Sequence, residues 1–327
     1  MDKITKKTLD VSRGLTYTYY TSPAKAGKPT VLLLHGFPDE AAEWADVINS
    51  HLVPAGYGVI APDCLGYGGT AKPRDPTAYK FPLMIRDITD ILDAEKVDKV
   101  ISIGHDWGSN FAQRVYNLAP TRVSGLVMMN VAYAPPTGKP FDLDGVLALT
   151  EKVFGYAPFW YWKLFTADDG AAVLDSHISG VFDLAHSDPP EHQLETFCKP
   201  DGLRNFLVSD GKVAVQAYAT EDMRQRFIER MGRDGFTAPL CWYRALTFGH
   251  QDNEVSPDSA LVNVPALFIG YDKDFVCRKE LIGPPEQAGL LPQLTKIELE
   301  GSHWGFLDKT KEFGEALVGW LDKTYSS

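Results

Sequence analysis

Short runs of consecutive apolar residues recur along the chain at 31–34, 59–61, 100–103, 126–129 and 266–269, with a weaker one at 296–299. Unbroken runs of this length, rich in Val, Ile and Leu, predict strands buried on both faces. Between them the apolar positions change to a helical period: Phe111, Val115 and Leu118 after the third run, and Phe313, Leu317, Trp320 and Leu321 near the end. Alternating strand and helix signals predict an α/β fold, a mostly parallel sheet flanked by helices. Residues 8–11 and 15–20, alternating in polarity around Arg13-Gly14, predict an antiparallel hairpin at the start.

From Pro135 to Gly249 the strand pattern stops, and it resumes only at 264–269. Residues 1–134 and 250–327 are therefore expected to form the core, with 135–249 a helical insertion. Seven of the twelve residues 154–165 are aromatic, against 12% for the whole chain, which suits either a helix packed on the core or a lid over an apolar pocket.

Composition narrows the function. Of the 327 residues 44% are hydrophobic and 23% charged, values of an ordinary globular protein. The net charge of −11, with no basic run, argues against a nucleic-acid partner. No stretch is apolar enough to predict a membrane span. Cys64, Cys198, Cys241 and Cys277 form no C-x-x-C pair, and the termini carry neither an apolar leader nor a peroxisomal tripeptide; a cytoplasmic protein is expected.

Three short segments can carry chemistry. Gly104-His105-Asp106-Trp107-Gly108 lies between the 100–103 strand and the following helix, with the small-x-x-x-small spacing of a nucleophile elbow. Asp106 stands where esterases carry Ser, and a carboxylate suits attack on a saturated carbon to form an ester that water later cleaves. The plainer alternative is an Asp capping the next helix. After the 31–34 strand comes His35-Gly36-Phe37-Pro38-Asp39, placed so that the backbone amides of Phe37 and Trp107 converge as an oxyanion hole, with His35 structural. His303, in Gly301-Ser302-His303-Trp304-Gly305, is the best-placed general base. Asp274 is the carboxylate chosen to orient it, with Asp272 the fallback and Asn130 set aside as uncharged. No H-E-x-x-H or comparable ligand pair points to a metal, and the scheme needs no cofactor.

In combination these motifs resemble the soluble epoxide hydrolases of the α/β-hydrolase fold over nearly the whole chain. The resemblance implies a helical cap domain and an apolar epoxide and water as substrates. It also implies two lid tyrosines holding the epoxide oxygen, matched by Tyr243 in Cys241-Trp242-Tyr243-Arg244 and by Tyr161, with Tyr156 a competitor for the second place. The chain begins almost at the hairpin, so the N-terminal phosphatase domain of the mammalian soluble enzymes is expected to be missing. Asp106 would attack an epoxide carbon, Tyr161 and Tyr243 would donate the proton, and water activated by His303 would release the diol. Haloalkane dehalogenases share the Asp nucleophile but bind the leaving halide with N–H donors such as Trp and Asn; the residue after His35-Gly36 is Phe37. A non-catalytic receptor of the same fold would be expected to have lost a triad member.

Overall fold

The computed structural model describes residues 4–325; residues 1–3 and 326–327, on which the reading of the termini partly rests, lie outside it. Eight strands form one sheet: β1 (Thr5–Asp10), β2 (Thr16–Ser22), β3 (Thr30–Leu34), β4 (Gly58–Pro62), β5 (Val100–His105), β6 (Val123–Met129) and, after a two-residue ribbon of β7 (Ser187–Asp188) and β8 (Ala214–Val215), β9 (Ala266–Tyr271) and β10 (Leu294–Leu299). The order across the sheet is β1-β2-β4-β3-β5-β6-β9-β10. β1 and β2 pair antiparallel and β2 joins β4 antiparallel, while β4, β3, β5, β6, β9 and β10 run parallel.

The apolar runs become buried strands because the sheet has helices on both faces. Leu32 and Leu34 of β3, Leu126 and Met128 of β6 and Phe268 of β9 point into one core. There they meet Ile88, Ile91 and Leu92 of the helix Phe81–Ala94 and Phe111 and Val115 of the helix Trp107–Leu118. Val31 and Leu33, Val127 and Met129, and Leu267 and Ile269 point into the other. Their partners are Trp44 and the Phe313, Leu317 and Leu321 stripe of the helix Thr310–Tyr325. Each fully buried side chain of this kind contributes roughly 1.5–3 kcal/mol through the apolar surface it removes from water. β10, at the edge, exposes alternate residues, which is why its sequence signal is weak.

Between β6 and β9 the chain is mainly helical. The chain leaves at the end of β6 and re-enters on β9, the strand hydrogen-bonded next to it, with Met129 paired to Ile269. Two helices of this excursion, Tyr161–Thr166 and Thr237–Thr247, lean on the top of the sheet. The ring of Trp162 stacks on Trp107 at 5.5 Å, and Tyr243 meets Phe37 edge-on at 5.5 Å. The aromatic run therefore forms a ceiling over the two loops that carry the elbow and the Phe37 amide.

Candidate active site

Asp106 sits at the turn between β5 and the helix Trp107–Leu118, with φ 52° and ψ −125°. For an L-residue this is strained, and the packing around it holds the strain in place. A Cβ on Gly104 would collide with the backbone of Gly108, and one on Gly108 with the carbonyl of Leu34, so strand and helix touch where both glycines stand. A Cβ on Gly36 would strike the Asp106 carboxylate itself. The carboxylate makes no capping bond to its own helix. Its Oδ1 instead accepts the Phe37 N–H at 2.9 Å, and the nearby Trp107 amide also favours the ionised form. One carboxylate oxygen is thus held by the Phe37 amide, and the other, Oδ2, lies 3.7 Å from His303 Nε2.

His303 follows β10. Its Nδ1 meets Asp274 Oδ2 at 2.8 Å. Asp274, fully buried, also accepts N–H bonds from Val276 at 3.0 Å and Cys277 at 2.8 Å on its Oδ1. Asp272 instead accepts the Gly301 N–H at 2.9 Å and braces the loop. Asn130 donates to Asp274 Oδ2 at 2.6 Å and to the His303 carbonyl at 3.0 Å, so the uncharged residue set aside from the sequence clamps acid and base together. The sequence held a signal for it, a polar residue directly after the β6 run. His35 is buried and accepts the Cys64 N–H at 2.8 Å, a structural bond.

Burial alone would lower the His303 pKa, but the charge and hydrogen bond of Asp274, reinforced by Asp106 and Asp39, raise it to about 9. Burial raises the pKa of Asp106, with His303 and the Phe37 and Trp107 amides opposing. Burial also opposes ionisation of Asp274, but His303 and Asn130 more than compensate and hold it below the usual carboxylate range. An imidazolium between two carboxylates has a sign that can be tested. Its folded pKa of about 9 lies above the unfolded 6.5, so its stabilisation is complete below 6.5 and lost as pH rises through 9. The thermal midpoint of the native protein minus that of His303→Gln should accordingly shrink between these pH values. A constant difference would show that charge plays no part.

Tyr161 and Tyr243 are both buried in the ceiling, their rings edge-to-face at 6.0 Å. Burial first, and then neighbouring charge including that of Asp106, pushes both phenols well above their ordinary pKa, so both stay protonated. Tyr156 donates its hydroxyl to the Phe275 carbonyl at 2.9 Å, supporting the Asp274 loop from outside. Asp106, His303, Tyr161 and Tyr243 together line a hollow of about 40 Å³, room for a water molecule or a small reacting group. Asp106, Trp107 and Tyr161 also border a larger, mainly apolar cavity of about 900 Å³.

Behind the base lies a buried group that sequence reasoning missed. Asp39 Oδ2 accepts the Trp304 indole N–H at 2.9 Å. Glu43 lies 4.0 Å from His105 Nδ1, and its pKa is pushed well up by burial and then by Asp39. The donor atoms of Asp39, Glu43 and His105 lie within 4.8 Å of one another, as do those of Asp106, Cys277 and His303. In the second set burial pushes the Cys277 thiol well up, keeping it protonated and a poor cation ligand.

A strained Asp between strand and helix, a backbone amide from the neighbouring strand's loop, and an Asp–His pair from the last two strands are the arrangement of the α/β-hydrolase fold. The chain belongs to the alpha/beta hydrolase fold family, whose sequence pattern matches residues 29–310. Epoxide hydrolases are among the relatives it resembles. Epoxide hydrolase A of Mycobacterium tuberculosis is 29% identical over 312 residues, 90% of this chain and 91% of that one. The bifunctional epoxide hydrolase 2 of Rattus norvegicus is 26% identical over 302 residues, 90% of this chain and 51% of the relative. The chain thus spans about half the length of such bifunctional relatives. An epoxide hydrolase from an endophytic Streptomyces superposes with a TM-score of 0.82 at 26% identity, covering 100% of this chain and 98% of that one. Among the described residues no helix is long and apolar enough to cross a membrane.

Proposed function

We propose that the protein hydrolyses apolar epoxides to vicinal diols through an alkyl ester of Asp106. The observation that carries this reading is the division of labour within one carboxylate: Oδ1 is held by the Phe37 amide, while Oδ2 faces His303 in a hollow roofed by two protonated tyrosines. Oδ2 attacks one epoxide carbon and the C–O bond breaks. The alkoxide takes a proton from Tyr161 or Tyr243, whose phenols are weak enough acids to remain loaded at neutral pH. Asp106 has now lost its charge, and with it one of the influences that hold the His303 pKa high. The imidazolium can then return a proton to the tyrosine pair and become the neutral base that the second step needs. Water, deprotonated by His303, attacks the ester carbonyl. The oxyanion forms on Oδ1, which the Phe37 amide already holds, with the Trp107 amide as the second donor of the proposed hole. Collapse releases the diol and restores the carboxylate. Residues 135–249 act as the cap that supplies the tyrosines and excludes bulk water.

Assaying diol formation from aryl and alkyl epoxides beside haloalkanes tests the reading. Diol without halide release is expected, and rapid halide release with little diol would replace it by dehalogenation. The acid pair has its own signature. Tyr161→Phe and Tyr243→Phe each remove one hydroxyl and keep the ring, so each should slow alkylation by roughly 10- to 100-fold, and the double change should nearly abolish it. Stopped-flow tryptophan fluorescence can follow that step directly. Full activity of the double variant would place the proton donor elsewhere.

A further inference from the structure

Of the polar side chains lining the 40 Å³ hollow, the proposed reaction uses Asp106, His303, Tyr161 and Tyr243, and the Trp304 indole spends its N–H on Asp39. Gln193, in the helix His192–Thr196 of the excursion between β6 and β9, is left over. It is 1% exposed. Its Nε2 donates to the Ala185 carbonyl at 3.1 Å, which sets the amide with its nitrogen toward Ala185 and its oxygen away. The backbone holds the residue from both sides: its N–H donates to the Pro190 carbonyl at 3.0 Å, and its carbonyl accepts the Phe197 N–H at 2.8 Å. Oε1 is buried and has no hydrogen-bond partner. Glu43 also carries unpartnered buried oxygens, but it borders neither cavity, whereas Gln193 shares a wall with the nucleophile and the base. Leaving a buried acceptor unpaired forfeits a hydrogen bond, so a donor in the hollow has a place prepared for it.

A water about to cleave the Asp106 ester has two O–H bonds to satisfy. One points at His303 Nε2. For the other, the side chains of Phe37, Phe165, Val181, Phe197 and Leu203 around the hollow offer no acceptor, and a buried water with an idle O–H is poorly held and poorly aimed. We infer that Gln193 Oε1 accepts the second hydrogen of the hydrolytic water and so turns the water's lone pair toward the ester carbonyl. The inference deepens the proposed epoxide reaction and rests on it. In this step a bond forms between the water oxygen and the Asp106 carbonyl carbon, the first proton passes to His303, and the negative charge goes to Oδ1. On collapse the bond from that carbon to the diol oxygen breaks, and His303 protonates the departing alkoxide. The second hydrogen, held by Gln193, stays on the new carboxyl oxygen until His303 takes it, which restores carboxylate and imidazolium. Gln193 therefore acts only after the ester has formed, as the residue that positions the water of the second half-reaction.

The two half-reactions separate this role from a merely structural one. With styrene oxide and 1,2-epoxyoctane, stopped-flow fluorescence of the native protein resolves alkylation from the hydrolysis that follows. Gln193→Met keeps the length of the side chain and removes both polar atoms. Alkylation should stay within about threefold of native while hydrolysis slows roughly 10- to 100-fold, the loss of one hydrogen bond made in a transition state. Intact mass should then show the ester accumulating at steady state. Gln193→Glu returns an acceptor oxygen to the same place and should recover most of the lost hydrolysis, and it carries the test where the apolar variant disturbs the packing. Equal slowing of the two phases, hydrolysis at the native rate in Gln193→Met, or no recovery in Gln193→Glu would each overturn the inference and leave the epoxide reading standing. If the His303→Gln protein never gains a substrate mass from either epoxide, the epoxide reading falls and the role of Gln193 falls with it.

Discussion

Replacing His303 by Gln is expected to stop the reaction halfway, with substrate attached to the protein. In the proposed reaction the imidazole has no role in breaking the epoxide bond and activates the water that cleaves the ester, and Gln fills its volume without being able to take a proton. Oδ2 of Asp106 still faces the hollow, and the phenols of Tyr161 and Tyr243 are still protonated, so alkylation proceeds. Intact mass should rise by one substrate mass, and steady-state turnover should fall roughly a thousand-fold or more, within the range that loss of a general base produces. Asp274→Ala should slow the same step, because it removes the strongest influence that charges and orients the ring. A His303→Gln protein that turns over at the native rate would remove the residue from the mechanism.

Asp106→Ala should have an effect at least as large, but without any adduct. Diol formation should drop by roughly four orders of magnitude or more, because no second carboxylate lines the hollow among the described residues and the Phe37 amide loses the oxygen it holds. Single turnover of the native protein in heavy-oxygen water supplies the positive counterpart. The label should enter the Asp106 carboxylate, since water attacks the ester carbonyl and the original side-chain oxygen leaves with the diol. Label found wholly in the first equivalent of product would mean direct attack by water on the epoxide.

The parts of the molecule legible in the sequence are those decided over a few consecutive residues. A strand covered on both faces must be apolar throughout, so β3, β4, β5, β6 and β9 announced themselves, and the hairpin of β1 and β2 followed from its alternation. The elbow was equally visible, because close packing at Gly104 and Gly108 leaves a spacing that few other structures require. What stayed hidden depends on distant segments meeting. Asn130 looked inert because it carries no charge, yet it sits where β6, β9 and the His303 loop come together and donates to both of the others. Tyr156 and Tyr161 lie five residues apart in one aromatic run; only the turn of the helix Tyr161–Thr166 sends one toward the hollow and leaves the other against the Phe275 carbonyl. Neither local period nor motif marks a charged side chain that folding will bury, such as those of Glu43 and Arg114.

The register of β6 against β9 has a bearing on how such an enzyme diversifies. Because the chain departs from one strand and returns on its immediate neighbour, with Met129 beside Ile269, the ends of the helical excursion are held at a fixed spacing by the sheet itself. Loop-closure entropy grows only logarithmically with the number of residues between such anchors, so the excursion can lengthen, shorten or be exchanged at little cost to the strands beneath. On the proposed reading, recombining it between homologues would transplant Tyr161, Tyr243 and the cavity roof as one cassette, while Asp106, His303 and the Phe37 and Trp107 amides stay on the recipient. Substrate range and the hydrolytic engine are in that sense separately inheritable.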